Sequence, residues 1–190
     1  MSQSQFVSKC TVDSLQSAAN LLLEGNLVAF PTETVYGLGA DALNKQAVAR
    51  IYQVKGRPAD HPLIVHIHSM QVMGQWVDDV PEYAIALGRD FWPGPMTLIF
   101  RRSSLAQDFI TGGQTTVGIR VPNHVVALGL LEAFHNLGGR GVAAAGGPAE
   151  CRHDARHGMA RAAHPGGRCR LGAGSPASTA AGGGGLWPLR

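Results

Sequence analysis

A seam near residue 145 constrains this chain more than any other feature. Before it, short apolar runs alternate with amphipathic stretches and Gly/Pro turns. After it, residues 146–190 contain no Ile, Val, Phe, Tyr, Asn or Gln, and 20 of those 45 residues are Gly or Ala. A segment so poor in large apolar groups buries too little surface to offset the entropy of ordering it. Any core of ordinary size must therefore be built from residues 1–145, and 146–190 is expected to be a weakly ordered Gly/Ala/Arg-rich tail. The tail's Arg/Ala/Gly/Pro/His mix is that of a GC-rich gene read out of frame. The same seam divides the charge. Residues 1–145 hold 10 Lys and Arg against 11 Asp and Glu, and the tail holds 6 Arg against Glu150 and Asp154, so the formal +3 comes from the tail.

Several classes are excluded early. No uncharged apolar run approaches the ~18 residues of a membrane-spanning helix. The start, MSQSQFVSKC, has no basic stretch followed by an apolar block, so no secretory leader is expected. Cys10, Cys151 and Cys169 are too few for a disulfide framework. A soluble, cytoplasmic chain with no membrane partner is the expectation.

Periodicity supplies the elements. Asp13 or Ser14 can cap a helix through about Glu24, with Leu15, Ala18, Ala19 and Leu22 at helical spacing and Gly25 as its stop. Asn44 can cap a second helix, in which Ala47, Val48, Ile51 and Val54 form one stripe. Ser69 can open a short helix to Trp76, Pro81 suits the first turn of one running to about Phe91, and Asn123 can cap one through Phe134. LVAF (27–30), LIVHI (63–67), MTLIF (96–100), TVGIRV (116–121) and GVAAA (141–145) predict strands. The irregular alternation points to α/β layers on a mixed, twisted sheet.

Five constellations carry candidate chemistry. Phe30-Pro-Thr-Glu-Thr-Val-Tyr-Gly-Leu-Gly39 crowds three hydroxyls, one carboxylate and two glycines into one turn after a buried strand. It is either a polar turn or a ligand loop of the kind found at strand ends. Lys55-Gly56-Arg57-Pro58, followed by His61-Pro62-Leu63, places two cations at a helix end; they cap the helix dipole or bind a triphosphate. His66 and His68 would share one face of a strand, as a metal pair or as hydrogen-bonded core histidines. Trp92-Pro-Gly-Pro-Met-Thr-Leu98 reads as a rigid turn entering a strand. Arg120, ending an apolar strand, needs an anion, either an internal carboxylate or a ligand. In the tail, Cys151, His153, His157 and Cys169 imitate zinc ligands, but the spacing fits no common finger and reads as chance.

PTETVYGLG, KGRP with HPL, the His66 strand, WPGPMTL and GIRVP occur in that order over roughly residues 10–145. Together they resemble the YrdC-like family of L-threonylcarbamoyl-AMP synthases. The resemblance implies a twisted mixed α/β sheet flanked by helices around a basic cavity, incomplete at the C-terminus. It implies formation of threonylcarbamoyl-AMP and pyrophosphate from L-threonine, bicarbonate and ATP, for N6-threonylcarbamoyladenosine in tRNA. ATP is then a substrate and Mg²⁺ accompanies it. By the same resemblance Thr34, His66 and Arg120 contact threonine, while Lys55, Arg57, His61 and Thr116 contact the nucleotide. Lys55, Arg57 and Arg120 are the implied catalytic group. Implied partners are tRNA-modifying enzymes that consume the adenylate, and double-stranded RNA or tRNA.

Two departures from the family pattern stand out. His61 occupies a place usually held by Asn, and Ala145-Gly146-Gly147 stands where a Ser-Ala-Asn motif is usual. The alternative is therefore a catalytically impaired, truncated homologue that retains partial nucleotide or double-stranded RNA binding. A one-base shift in the coding DNA near codon 145 is expected to restore Ser-Ala-Asn and a regular strand–helix pattern.

Overall fold

The computed structural model describes residues 10–146. Six strands form one mixed sheet: β1 (Val28–Phe30), β2 (Gly37–Asp41), β3 (Ile64–His66), β4 (Leu98–Arg101), β5 (Thr116–Arg120) and β6 (Val142–Ala145). Their order across the sheet is β1-β2-β6-β3-β5-β4, and only the β3–β5 pair is parallel. Helices α1 (Val12–Leu23) and α5 (Val125–Asn136) cover one face over β1 and β6. Helices α2 (Lys45–Lys55), α3 (Glu82–Phe91) and α4 (Asp108–Thr111), with a 3-10 turn at Met70–Gln75, lie in the layer on the other face. The expected α/β sheet flanked by helices is the fold observed. Residues 146–190 were expected to form a tail, and 147–190, including its cysteine and histidine pattern, lie outside the described residues.

Alternation along the strands assigns the faces. In β6, Val142 and Ala144 join α1 and α5, while Ala143 and Ala145 join the opposite core. In β5, Val117 and Ile119 enter that opposite core, so Thr116, Gly118 and Arg120 share the other face. Toward β4 this face is less covered, and Ile99 is 63% exposed.

Helix boundaries follow from capping chemistry. Thr11 caps α1 in a reciprocal box with Ser14: Ser14 N–H donates to Thr11 Oγ1 (3.2 Å) and Thr11 N–H to Ser14 Oγ (2.9 Å). The expected caps Asp13 and Ser14 instead lie inside the first turn. Asn44 caps α2 as expected, its Oδ1 accepting from Gln46 and Ala47 N–H. Helix α5 is capped by the His124 ring, while Asn123 N–H turns toward the Glu33 carboxylate. Strand β2 and the single-turn α4 were not anticipated.

Glycine explains why the sequence shows no strand pattern at β2. Gly39 lies beneath the Phe30 ring, where an added Cβ would meet Val142 Cγ1 at 2.5 Å and Phe30 Cε1 at 2.7 Å. The bare strand is a bed for an aromatic side chain from its neighbour.

Leu130 is fully buried between α1 and the sheet, whereas Val125 at the start of α5 is 80% exposed. Leu130→Ala should lower the unfolding free energy by about 2–5 kcal/mol. Val125→Ala should change it by no more than about 0.5 kcal/mol. Urea denaturation of the two variants measures both; equal costs would contradict the assigned core.

Candidate functional site

The site is organised around Arg120, the last residue of β5. Its side chain is 9% exposed, and Nη2 lies 2.7 Å from Glu33 Oε1. Nη2 also donates to Thr34 Oγ1 (3.3 Å) and Nε to the Gly94 carbonyl (3.2 Å). The sequence left open whether this cation meets an internal carboxylate or a ligand; it meets Glu33. Sequence reasoning noted that carboxylate in the turn but gave it no role. The available signal was a lone acid beside hydroxyls and a lone Arg ending an apolar strand.

Two turns aim these groups. In the 31–36 turn, Thr32 Oγ1 accepts from the N–H groups of Thr34 and Val35 and donates to Val35 O at 2.6 Å. That uses its proton and both lone pairs, so the 3.1 Å contact between the two hydroxyls does not fix the Thr34 proton. Thr34 Oγ1 itself accepts from Arg120 Nη2. In the Trp92–Leu98 turn, Gly94 N–H donates to Val121 O (2.8 Å) while its carbonyl accepts from Arg120. An added Cβ at Gly94 would meet Phe91 O at 2.1 Å, so a side chain there would displace that carbonyl. The turn is more than a rigid entry to β4: it clamps Arg120.

His66 pairs with Arg120 in the β3–β5 register, and its ring meets the Phe30 ring edge-on at 5.8 Å. Its Nδ1 lies 3.3 Å from Ile64 O, a geometry satisfied by an Nδ1–H donor, which leaves Nε2 as an acceptor. Burial, and after it the charge of Arg120, push the imidazole down to about 4, against smaller opposing effects of the Ile64 carbonyl and Glu33. Burial alone would raise the Glu33 carboxyl. The Arg120 bond, the Glu33 and Asn123 backbone N–H groups and the Arg120 charge outweigh it and hold the group below its usual range.

His66 and His68 do share the α1/α5 face, since Val65 and Ile67 both enter the opposite core, but each ring has its own neighbour: His68 stacks on His135 of α5 with centroids 4.2 Å apart. Among the described residues, no group of three or more His, Cys, Asp or Glu is arranged to hold a metal ion.

The remaining candidates are distributed around this centre. Arg57, just beyond α2, donates through Nη2 to Gly146 O at 2.8 Å, and Gly146 lies against Val35 of the 31–36 turn. Arg57 therefore ends on Gly146, a neighbour of the turn that Arg120 holds. Lys55 occupies the last turn of α2. Thr116 shares a face with Arg120 but stands four residues away along β5, about 13 Å. His61 is exposed, and its carbonyl accepts from the Tyr52 hydroxyl at 2.8 Å. It adjoins Asp60, which lines an open cleft of about 910 Å³ with Lys45, Arg102 and Asp108. That cleft does not include Arg120, and its Arg102 is tied to Asp108 at 2.6 Å.

A domain-family model named for Sua5, YciO and YrdC, and described as telomere recombination, matches residues 20–146. The threonylcarbamoyl-AMP synthases of Pyrococcus abyssi and Bacillus subtilis are 52% and 48% identical over 118 residues, 62% of this chain. The chain spans about a third of their lengths, 35% and 34%. The crystal structure of P. abyssi Sua5 complexed with L-threonine superposes with a TM-score of 0.68 at 46% identity, covering 73% of this chain and 39% of that one. E. coli YciO shares the fold at a TM-score of 0.65 and 22% identity, covering 75% of this chain and 69% of that one.

The depressed His66 titration has a stability consequence. The unfolded imidazole binds a proton near 6.5 and the folded one only near 4. Between those values the unfolded state holds more protons, so stability rises with pH across the window and is lost as pH falls through it. The full window corresponds to about 3 kcal/mol. His68 is also lowered, by burial and by His135, against Glu132, and contributes in the same direction. The comparison is therefore with His66→Gln: urea unfolding at pH 7, 6 and 5 should show a shallower pH slope in the variant. Identical slopes would contradict a buried, neutral His66.

Proposed function

This chain belongs to the Sua5/YciO/YrdC family, and we propose that it makes threonylcarbamoyl-AMP and pyrophosphate from L-threonine, bicarbonate and ATP. The product would serve N6-threonylcarbamoyladenosine formation in tRNA, passed on by partner enzymes in the cytoplasm. One observation carries the reading: Thr34, His66 and Arg120, from three separate segments, converge on one end of the sheet. Arg120 spends three of its five N–H donors on Gly94, Thr34 and Glu33, and its Nη1 has no partner among the described residues. Nη1 is assigned to the threonine carboxylate, and Thr34 Oγ1 and His66 Nε2 to donors on the same substrate. That P. abyssi Sua5 has been crystallised with L-threonine supports the assignment.

Lys55 and Arg57 are assigned to the triphosphate, with His61 and Thr116 beside the nucleotide. In the adenylation step a carbamate oxygen bonds to the α-phosphorus, and the bond from that phosphorus to the departing pyrophosphate oxygen breaks. Both reactants are anionic. Fixed guanidinium and ammonium groups reduce their repulsion and stabilise the negative charge on pyrophosphate. Holding the two partners together supplies most of the rate, and no covalent nucleophile is required. Magnesium would travel on the phosphates. The described residues provide no carboxylate cluster for it, and Glu33 is committed to Arg120.

A second reading, binding of nucleotide or double-stranded RNA without turnover, is favoured by Ala145-Gly146-Gly147, which puts no polar side chain where the family's Ser-Ala-Asn would meet the nucleotide. The test is threonine-dependent pyrophosphate release by the purified full chain with ATP and bicarbonate. Release is expected, and Lys55→Ala and Arg120→Ala should each reduce it by roughly a hundredfold or more. A folded chain that binds ATP but releases no pyrophosphate would establish the second reading. Near-normal rates in both variants would remove the roles assigned to these residues.

A further inference from the structure

We propose that Glu33 is the specificity-determining group of the Arg120 site: its carboxylate binds the substrate's ammonium and makes the site select a zwitterion over a simple anion. This rests on the amino-acid assignment above and adds a residue to it. A lone buried guanidinium would attract any small anion. Here the guanidinium is already compensated by Glu33 at 2.7 Å, so the pair together carries no net charge. An incoming carboxylate alone would add an uncompensated negative charge beside Glu33, whose side chain is only 19% exposed. A zwitterion adds none: its carboxylate faces Arg120 Nη1 while its ammonium faces Glu33.

The surrounding groups have the matching polarity. His66 has turned its N–H toward Ile64, and Thr34 Oγ1 accepts from Arg120. Glu33 and His66 thus present acceptors beside one donor, Arg120. That arrangement fits a ligand with one carboxylate and several N–H or O–H donors. Glu33 is well placed to stay ionised, because Arg120 and the Asn123 backbone N–H both bind its charged form. It also acts on Arg120 as a positioning residue, opposite the Gly94 carbonyl.

The test is calorimetric titration of the full chain near neutral pH with L-threonine and with 3-hydroxybutanoate, which keeps the carboxylate and hydroxyl but lacks the ammonium. The wild type should prefer threonine by roughly tenfold or more, because the analogue leaves Glu33 uncompensated. In Glu33→Gln, threonine should weaken by a similar factor while 3-hydroxybutanoate binds no worse, so the preference collapses. Glu33→Asp should restore the preference at reduced affinity. A variant that merely lost packing would weaken both ligands alike and keep the ratio. Equal wild-type affinities for the two ligands overturn the proposal without recourse to any variant, and so does an unchanged ratio in a folded Glu33→Gln. In either case the threonine site itself stands. A wild-type chain that binds no threonine overturns the amino-acid assignment and this proposal with it.

Discussion

The ion pair between Arg120 and Glu33 is the constraint around which this end of the sheet is arranged. A guanidinium at the end of an apolar strand is tolerated only when its charge and its donors are met. Meeting them takes three segments far apart in sequence. The 31–36 turn supplies Glu33 and Thr34, the Trp92–Leu98 turn supplies the Gly94 carbonyl, and β5 supplies the cation. Each segment needs its own support. Thr32 organises the first turn, Gly94 admits the close backbone approach of the second, and the parallel β3–β5 register sets His66 beside Arg120. The core participates as well. Phe30 lies over Gly39, reaches Val142 and presents its ring to His66. Removing bulk from β2 is what lets an aromatic from β1 buttress a residue in β3.

Much of this was legible in the sequence, and what was not has specific causes. The helical stripes of α1 and α2 identify those elements, because packing against a sheet leaves a 3.6-residue signature, while Pro81 and Asn123 mark the starts of α3 and α5. Strand β2 was missed because Gly37 and Gly39 remove the alternating apolar pattern that marks a strand, and their partner Phe30 lies outside it. Helix α4 is a single turn, too short to show a period. The caps at Thr11 and His124 differ by one to three residues from those expected, since several polar residues near each helix start compete for the role. At the site, Arg120 could be identified by its burial cost and Thr34 by its crowded turn. Glu33 could not be assigned, because nothing local ties residue 33 to residue 120. Alternation put His66 and His68 on one face, as found, but it could not show that His68 would stack on His135 of α5.

The positive groups divide into two sets with different surroundings. Arg120 is buried and compensated, suited to orienting a small zwitterion. Arg57 rests on the Gly146 carbonyl, beside Val35 of the same turn. In the proposed reaction two anionic reactants would meet near one turn, where these cations oppose their repulsion.

The most direct measurement of this account is the ¹⁵N spectrum of the His66 imidazole in the full chain, recorded near pH 6 during titration with L-threonine and assigned with His66→Gln. The account predicts a neutral ring protonated at Nδ1, with the Nε2 resonance shifting saturably as threonine binds. A charged imidazolium in the free protein, or an Nε2 resonance unmoved by saturating threonine, would contradict it.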